Sequence, residues 1–195
     1  MSARQDLPSS ATGSDTAYDV STETHRALSA WFMGPKAENS KVMKDLLGEI
    51  IDRVTRSRSE YFPSDPAFIT SSTQDSAPYK REVDDLQRYV TLLTDLMSRY
   101  SLPYFSPRYM GHMCFDNSLP AMLGYLAAMI HNPNNVAVEA SPLTSYIEHC
   151  VGQQLCKMLG YRTTEDIATE EMKSPYKGWG HLTCDGSVAN LESLW

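Results

Sequence analysis

The chain has 195 residues, with 17 Lys plus Arg against 24 Asp plus Glu and a formal charge of −7. An acidic balance with no basic block of five or more residues excludes the electrostatic footprint of a nucleic-acid or anionic-membrane binder. The longest apolar stretch, 119–130, is broken by Pro120 and Gly124 and falls short of the roughly 20 residues a spanning helix needs, so a soluble, cytoplasmic protein is expected.

Residues 1–20 are rich in Ser, Thr, Asp and Ala, without the apolar core of a secretory signal or the repeated Arg of a transit peptide. A disordered tail is therefore expected over 1–23. The stretch 24–33 predicts a helix stopped by Gly34-Pro35. In the next, Val42, Leu46, Ile50 and Val54 recur at i+4 beside Met43, Leu47 and Ile51, which predicts a helix with a broad apolar face. Residues 57–78 are dense in Ser, Pro, Asp and Thr and predict a loop. Beyond it Val83, Leu86, Val90, Leu93 and Met97 alternate spacings of three and four, the single stripe of a third helix.

Residues 104–117 show no period. Ser118 then stands where it can cap a helix running to Ile130, and HNPNN (131–135) must end that helix, because Pro lacks the amide donor and Asn takes turn conformations. Ser141-Pro142 pairs a capping residue with proline at the first helical position, and Leu143, Ile147, Val151 and Leu155 continue at i+4 toward a stop at Gly160. Finally, 181–184 reads as a short strand, Asp185-Gly186-Ser187 as a tight turn and 188–195 as the first turns of a helix.

Cys114, Cys150, Cys156 and Cys184 form no CxxC pair and are expected as free thiols in a reducing cytosol. Cys150 and Cys156, with His149 adjacent, lack ligand spacing and sit on a helix whose apolar face explains them as core, so no metal is assigned. A strand delivering Gly-Ser into a helix N-terminus is a phosphate cradle, because unpaired amides and the positive end of the helix dipole converge there. Gly186 lets the backbone approach, and the Ser187 hydroxyl adds a donor. Taken alone, Asp-Gly is also an ordinary turn signal and Ser an ordinary cap.

Three strings in order supply the context: SPRYMGHM (106–113), NPNN (132–135) with EASPLT (139–144), and WGHLTCDGSVANLE (179–192). With that spacing the chain resembles the pyridoxal-phosphate-dependent group II amino-acid decarboxylases, most of all their microbial tyrosine decarboxylase branch. The resemblance runs from about Ala27 to Trp195 and is strongest after Ser106. It implies an α/β enzyme: an N-terminal helical dimerisation segment over 24–105, then the start of an aspartate-aminotransferase-like large domain over 106–195. It further implies an obligate dimer with active sites at the subunit interface, and pyridoxal 5′-phosphate as cofactor. Ser187 and the Gly186 amide would hold the cofactor phosphate, with Asn190 on the same helix face. Asp185 would be repulsive beside that phosphate, by about 1 kcal/mol at about 4 Å with solvent screening, unless it points away.

The 106–114 string would line the substrate side, with His112 touching substrate, and the 134–136 turn would reach into the partner's site. The alternative for His112, a histidine hydrogen-bonded in a loop, stays open. His25, His131, His149 and His181 read as ordinary structural histidines. Decarboxylation also needs a cofactor-binding lysine, an acidic partner for the pyridine nitrogen and a stacked histidine, which in the family lie downstream of these 195 residues. Lys157, Lys173 and Lys177 lack the family's His-Lys context and read as solvated side chains. The expectation is the N-terminal part of a carboxy-lyase acting on an amino acid, aromatic such as tyrosine or alternatively glutamate, and inactive alone. A reading from another class is a non-catalytic interaction protein that pairs with a full-length relative through its helical arm. A generic phosphate-binding domain would leave the two upstream strings without a role.

Overall fold

The computed structural model describes residues 22–111, 113–163 and 178–194. The expected tail lies outside them as far as residue 21. The chain divides into two compact units between Tyr125 and Leu126. The sequence-based division at 105/106 falls inside the first.

In the first unit, α1 (Glu23–Ser29) is capped by Thr22, whose hydroxyl accepts from the His25 amide. It stops short of the expected Gly34-Pro35. Trp31 turns its carbonyl to the Leu119 amide at 2.6 Å, and Phe32 forms an isolated antiparallel bridge with Ser118. These two tertiary bonds take backbone groups that a longer helix would have kept for itself. The Asn39 carboxamide donates to the carbonyls of Ser29 and Phe32, at 2.9 and 2.7 Å, serving acceptors left over at the helix end.

Helix α2 (Ser40–Glu60) carries the predicted apolar face. The expected loop over 57–78 is corrected in part: α2 continues to Glu60, and a short α3 (Ser71–Asp75) forms behind Thr70, whose hydroxyl accepts from Thr73 at 3.3 Å. Clustered Ser and Thr read as loop, yet the same hydroxyls are helix caps. Helix α4 (Ala77–Tyr100) follows at once, capped by Ser76 with Pro78 in its first turn. Neither α2 nor α4 contains a buried residue.

Helix α5 (Leu119–His131) begins as predicted, with the Ser118 hydroxyl accepting from Ala121 and Leu119 only 2% exposed. It ends at Asn132, whose φ of 48° is the left-handed turn that asparagine tolerates.

In the second unit, α6 (Pro142–Met158) starts with Pro142, but the Ser141 hydroxyl meets Thr144 Oγ1 rather than a backbone amide. Its other end is a Schellman motif: Gly160, at φ 81°, donates to Lys157, and Tyr161 donates to Cys156. The last helix described, α7 (Gly186–Leu194), contains no buried residue. Residues 181–184, expected as strand, pair with no other described segment, and no strand occurs among the described residues. A strand needs a hydrogen-bonding neighbour, and none of these residues supplies one. No helix among the described residues is long and apolar enough to cross a membrane.

Candidate functional site

The sequence-predicted cradle lies where the segment 178–185 enters α7. Asp185 is the helix cap: its Oδ1 accepts from the Val188 amide at 2.8 Å and its carbonyl from Ala189 at 3.0 Å. The Thr183 hydroxyl donates to that same carbonyl at 2.9 Å. Asp185 thus turns its charge into its own helix, where the dipole favours it.

This removes the ordinary alternative for Ser187, because the cap is already taken. The Ser187 hydroxyl and the Asn190 carboxamide make no hydrogen bond among the described residues, and the Gly186 and Ser187 amides have no acceptor there. A Cβ placed on Gly186 would meet nothing within 4 Å, so the approach to these amides is open. Two free amides, a hydroxyl and a carboxamide are a donor set that fits a phosphate. At 100° per residue, Ser187 and Asn190 share one side of α7.

Behind this entry, α6 and the 178–180 segment approach closely. A Cβ on Gly152 would strike the Gly180 carbonyl, and one on Gly180 would lie 2.8 Å from the Gly152 carbonyl oxygen. Cys156, 4% exposed, packs beneath, its sulfur 3.2 Å from where a Gly178 Cβ would stand. The Gly178 amide donates to the Arg162 carbonyl at 2.8 Å. Glycine at all three positions lets backbone lie on backbone.

Beside it, the Asn135 side chain donates to Glu148 at 2.7 Å and accepts from Thr144 at 2.5 Å, tying the 134–136 turn to the first turns of α6. Residues 135–138 and 179–181 border a cavity of about 260 Å³ lined also by Ser145, Glu148 and His149. Among the described residues the buried Ser145 hydroxyl has no hydrogen-bond partner. A second cavity of about 450 Å³ runs along α6 past Tyr146, Cys150 and Lys157. A hydrogen bond to the Cys150 thiol raises the Tyr146 phenol above its ordinary pKa, and charge interaction with that thiol and desolvation add to it.

The sequence-predicted residues Gly186, Ser187 and Asn190 are brought together on one helix. His112 lies outside the described residues, as do Lys173 and Lys177. Sequence reading missed the Asp185 cap, although Asp is a favoured capping residue. It also missed the side-chain contact between His181 and Glu192 and the Gly152–Gly180 approach. No local pattern signals either contact, because their partners are 11 and 28 positions apart.

No family model matches the chain. Over 169 residues, 86% of its length, it is 40% identical to an L-tyrosine decarboxylase of Levilactobacillus brevis. The corresponding values are 37% for L-tyrosine decarboxylase of Enterococcus faecalis (strain ATCC 700802 / V583) and 36% for that of Enterococcus faecium. Each alignment spans 25% of the relative's own length. The chain is therefore related to L-tyrosine decarboxylases over most of its own sequence, while covering about a quarter of theirs.

Proposed function

We propose that this chain is the phosphate-holding and dimer-forming part of a cytoplasmic, pyridoxal 5′-phosphate-dependent amino-acid decarboxylase whose substrate is an aromatic L-amino acid, tyrosine in the first place. The observation that carries the reading is the set of free donors at the start of α7, in a chain related to proteins named for tyrosine decarboxylation. The Gly186 and Ser187 amides, the Ser187 hydroxyl and the Asn190 carboxamide would hold the cofactor phosphate. His112 is assigned to the substrate side on the resemblance alone. When bound, the cofactor supplies an electron sink for the pair left behind as carbon dioxide departs.

On this reading the complete enzyme is an α/β protein of the aspartate-aminotransferase-like class, and 181–184 becomes a strand once neighbours flank it. The apolar faces of α2 and α4 are covered by a second copy or by a full-length relative. The 195 residues carry no lysine in the family's His-Lys context, so the chain contributes cofactor binding and pairing rather than turnover by itself.

Equilibrium dialysis with pyridoxamine 5′-phosphate tests the reading, since this form has no aldehyde to react with surface lysines. Ser187→Ala is expected to weaken uptake about ten- to a hundredfold, roughly 1.5 to 3 kcal/mol for a hydrogen bond to a charged group. Uptake by the unaltered chain no greater than that of pyridoxamine, which lacks the phosphate, would overturn it.

A further inference from the structure

Helix α7 has nine residues and none is buried. A helix shorter than about 12 residues is marginal in water unless something outside it holds it in place. The Asp185 and Thr183 bonds fasten its first turn only. Among the described residues its second turn is fastened by the side-chain contact between Glu192 Oε2 and His181 Nε2, which reaches back to the segment entering the helix.

The direction of that contact matters. Glu192 lies seven positions after Asp185, two turns further along the same face, so the entering segment folds back against that face. Ser187 and Asn190 stand roughly 140° to 160° around the helix from Glu192. The tie therefore leaves the donor side open. Both side chains are close to half exposed, 41% and 45%, and a polar side-chain contact so exposed adds little to global stability, whether or not the imidazole carries a charge. Its effect is local, on how firmly α7 is aligned.

We propose that the His181–Glu192 pair is a positioning clasp, which holds the second turn of α7 against its entry segment and so keeps the first-turn donors aligned for a phosphate. Neither residue touches the phosphate. The inference rests on the reading of this helix start as a phosphate site. Glu192→Gln retains an acceptor for the imidazole Nε2–H and loses only the charge, whereas Glu192→Ala and His181→Ala abolish the tie.

The test measures pyridoxamine 5′-phosphate affinity by dialysis, and amide hydrogen exchange over 188–194, on the unaltered chain, these three variants and the alanine double variant. Each alanine variant is expected to weaken affinity about fivefold and to speed exchange in the second turn, with the global unfolding midpoint unchanged. The double variant should be no weaker than either single, because both remove the same contact, and Glu192→Gln should restore most of the affinity. Wild-type affinity in the alanine variants alongside a loss in Ser187→Ala would overturn the clasp while leaving the site standing. Independent, additive losses in the double variant would also overturn the clasp. If the unaltered chain takes up no phosphate ester, the site reading fails and the clasp's role fails with it, whatever the exchange rates show.

Discussion

Gly152 shows how one absent methyl group positions a segment. Its Cα faces the Gly180 carbonyl so closely that a Cβ would collide with backbone, which cannot swing aside as a side chain can. Gly152→Ala is expected to destabilise the second unit by about 1 to 3 kcal/mol, the usual cost of overpacking, read as a lowered urea midpoint. Gly124 is the opposite case. It sits exposed within α5 with nothing within 4 Å of its would-be Cβ, so Gly124→Ala should raise stability by about 0.5 to 1 kcal/mol through lost unfolded-state freedom. Equal shifts in both variants would argue that the Gly152–Gly180 approach is not formed in solution.

At the scale of the element, α7 is governed by its cap. The Asp185 carboxylate accepts the Val188 amide and stabilises the helix start, but it is also a negative charge next to the amides assigned to a phosphate. Asparagine caps about as well as aspartate. Asp185→Asn should therefore leave helix content unchanged while tightening pyridoxamine 5′-phosphate binding about fivefold, the equivalent of the roughly 1 kcal/mol of screened repulsion it removes. Weaker binding in this variant would mean that the carboxylate itself serves the ligand. The same competition between local and distant bonds explains α1, which ends at Ser29 because Trp31 and Phe32 find partners at Leu119 and Ser118.

For the molecule as a whole, the uncovered surface is the dominant feature. The stripe Val83, Leu86, Val90, Leu93 and Met97 is 44% to 63% exposed along its length, and Leu119 and Cys156 are the buried hydrophobic side chains among the described residues. Apolar faces this continuous mark surfaces that associate. The chain is expected to show a concentration-dependent mass in sedimentation equilibrium and a broad thermal transition. A monomer at all concentrations with a sharp, cooperative melt would count against the covered-face reading of α2 and α4.

Sequence by itself determined the helices that carry their own signals: the i+4 rows of α2 and α6, the three-four stripe of α4, the Ser118 cap, and the stops at Asn132 and Gly160. Their causes are local, residing in side-chain periodicity, missing donors and left-handed turns within a few positions. It also determined the relationship to tyrosine decarboxylases, through strings whose order needs no coordinates. Tertiary structure alone decided where α1 stops, that 181–184 finds no strand partner among the described residues, that Gly152 meets Gly180, and that Glu192 reaches His181. Each of these depends on which distant or competing partner takes a given amide, carbonyl or carboxylate. That choice is made by three-dimensional proximity, and the order of residues along the chain does not encode it locally.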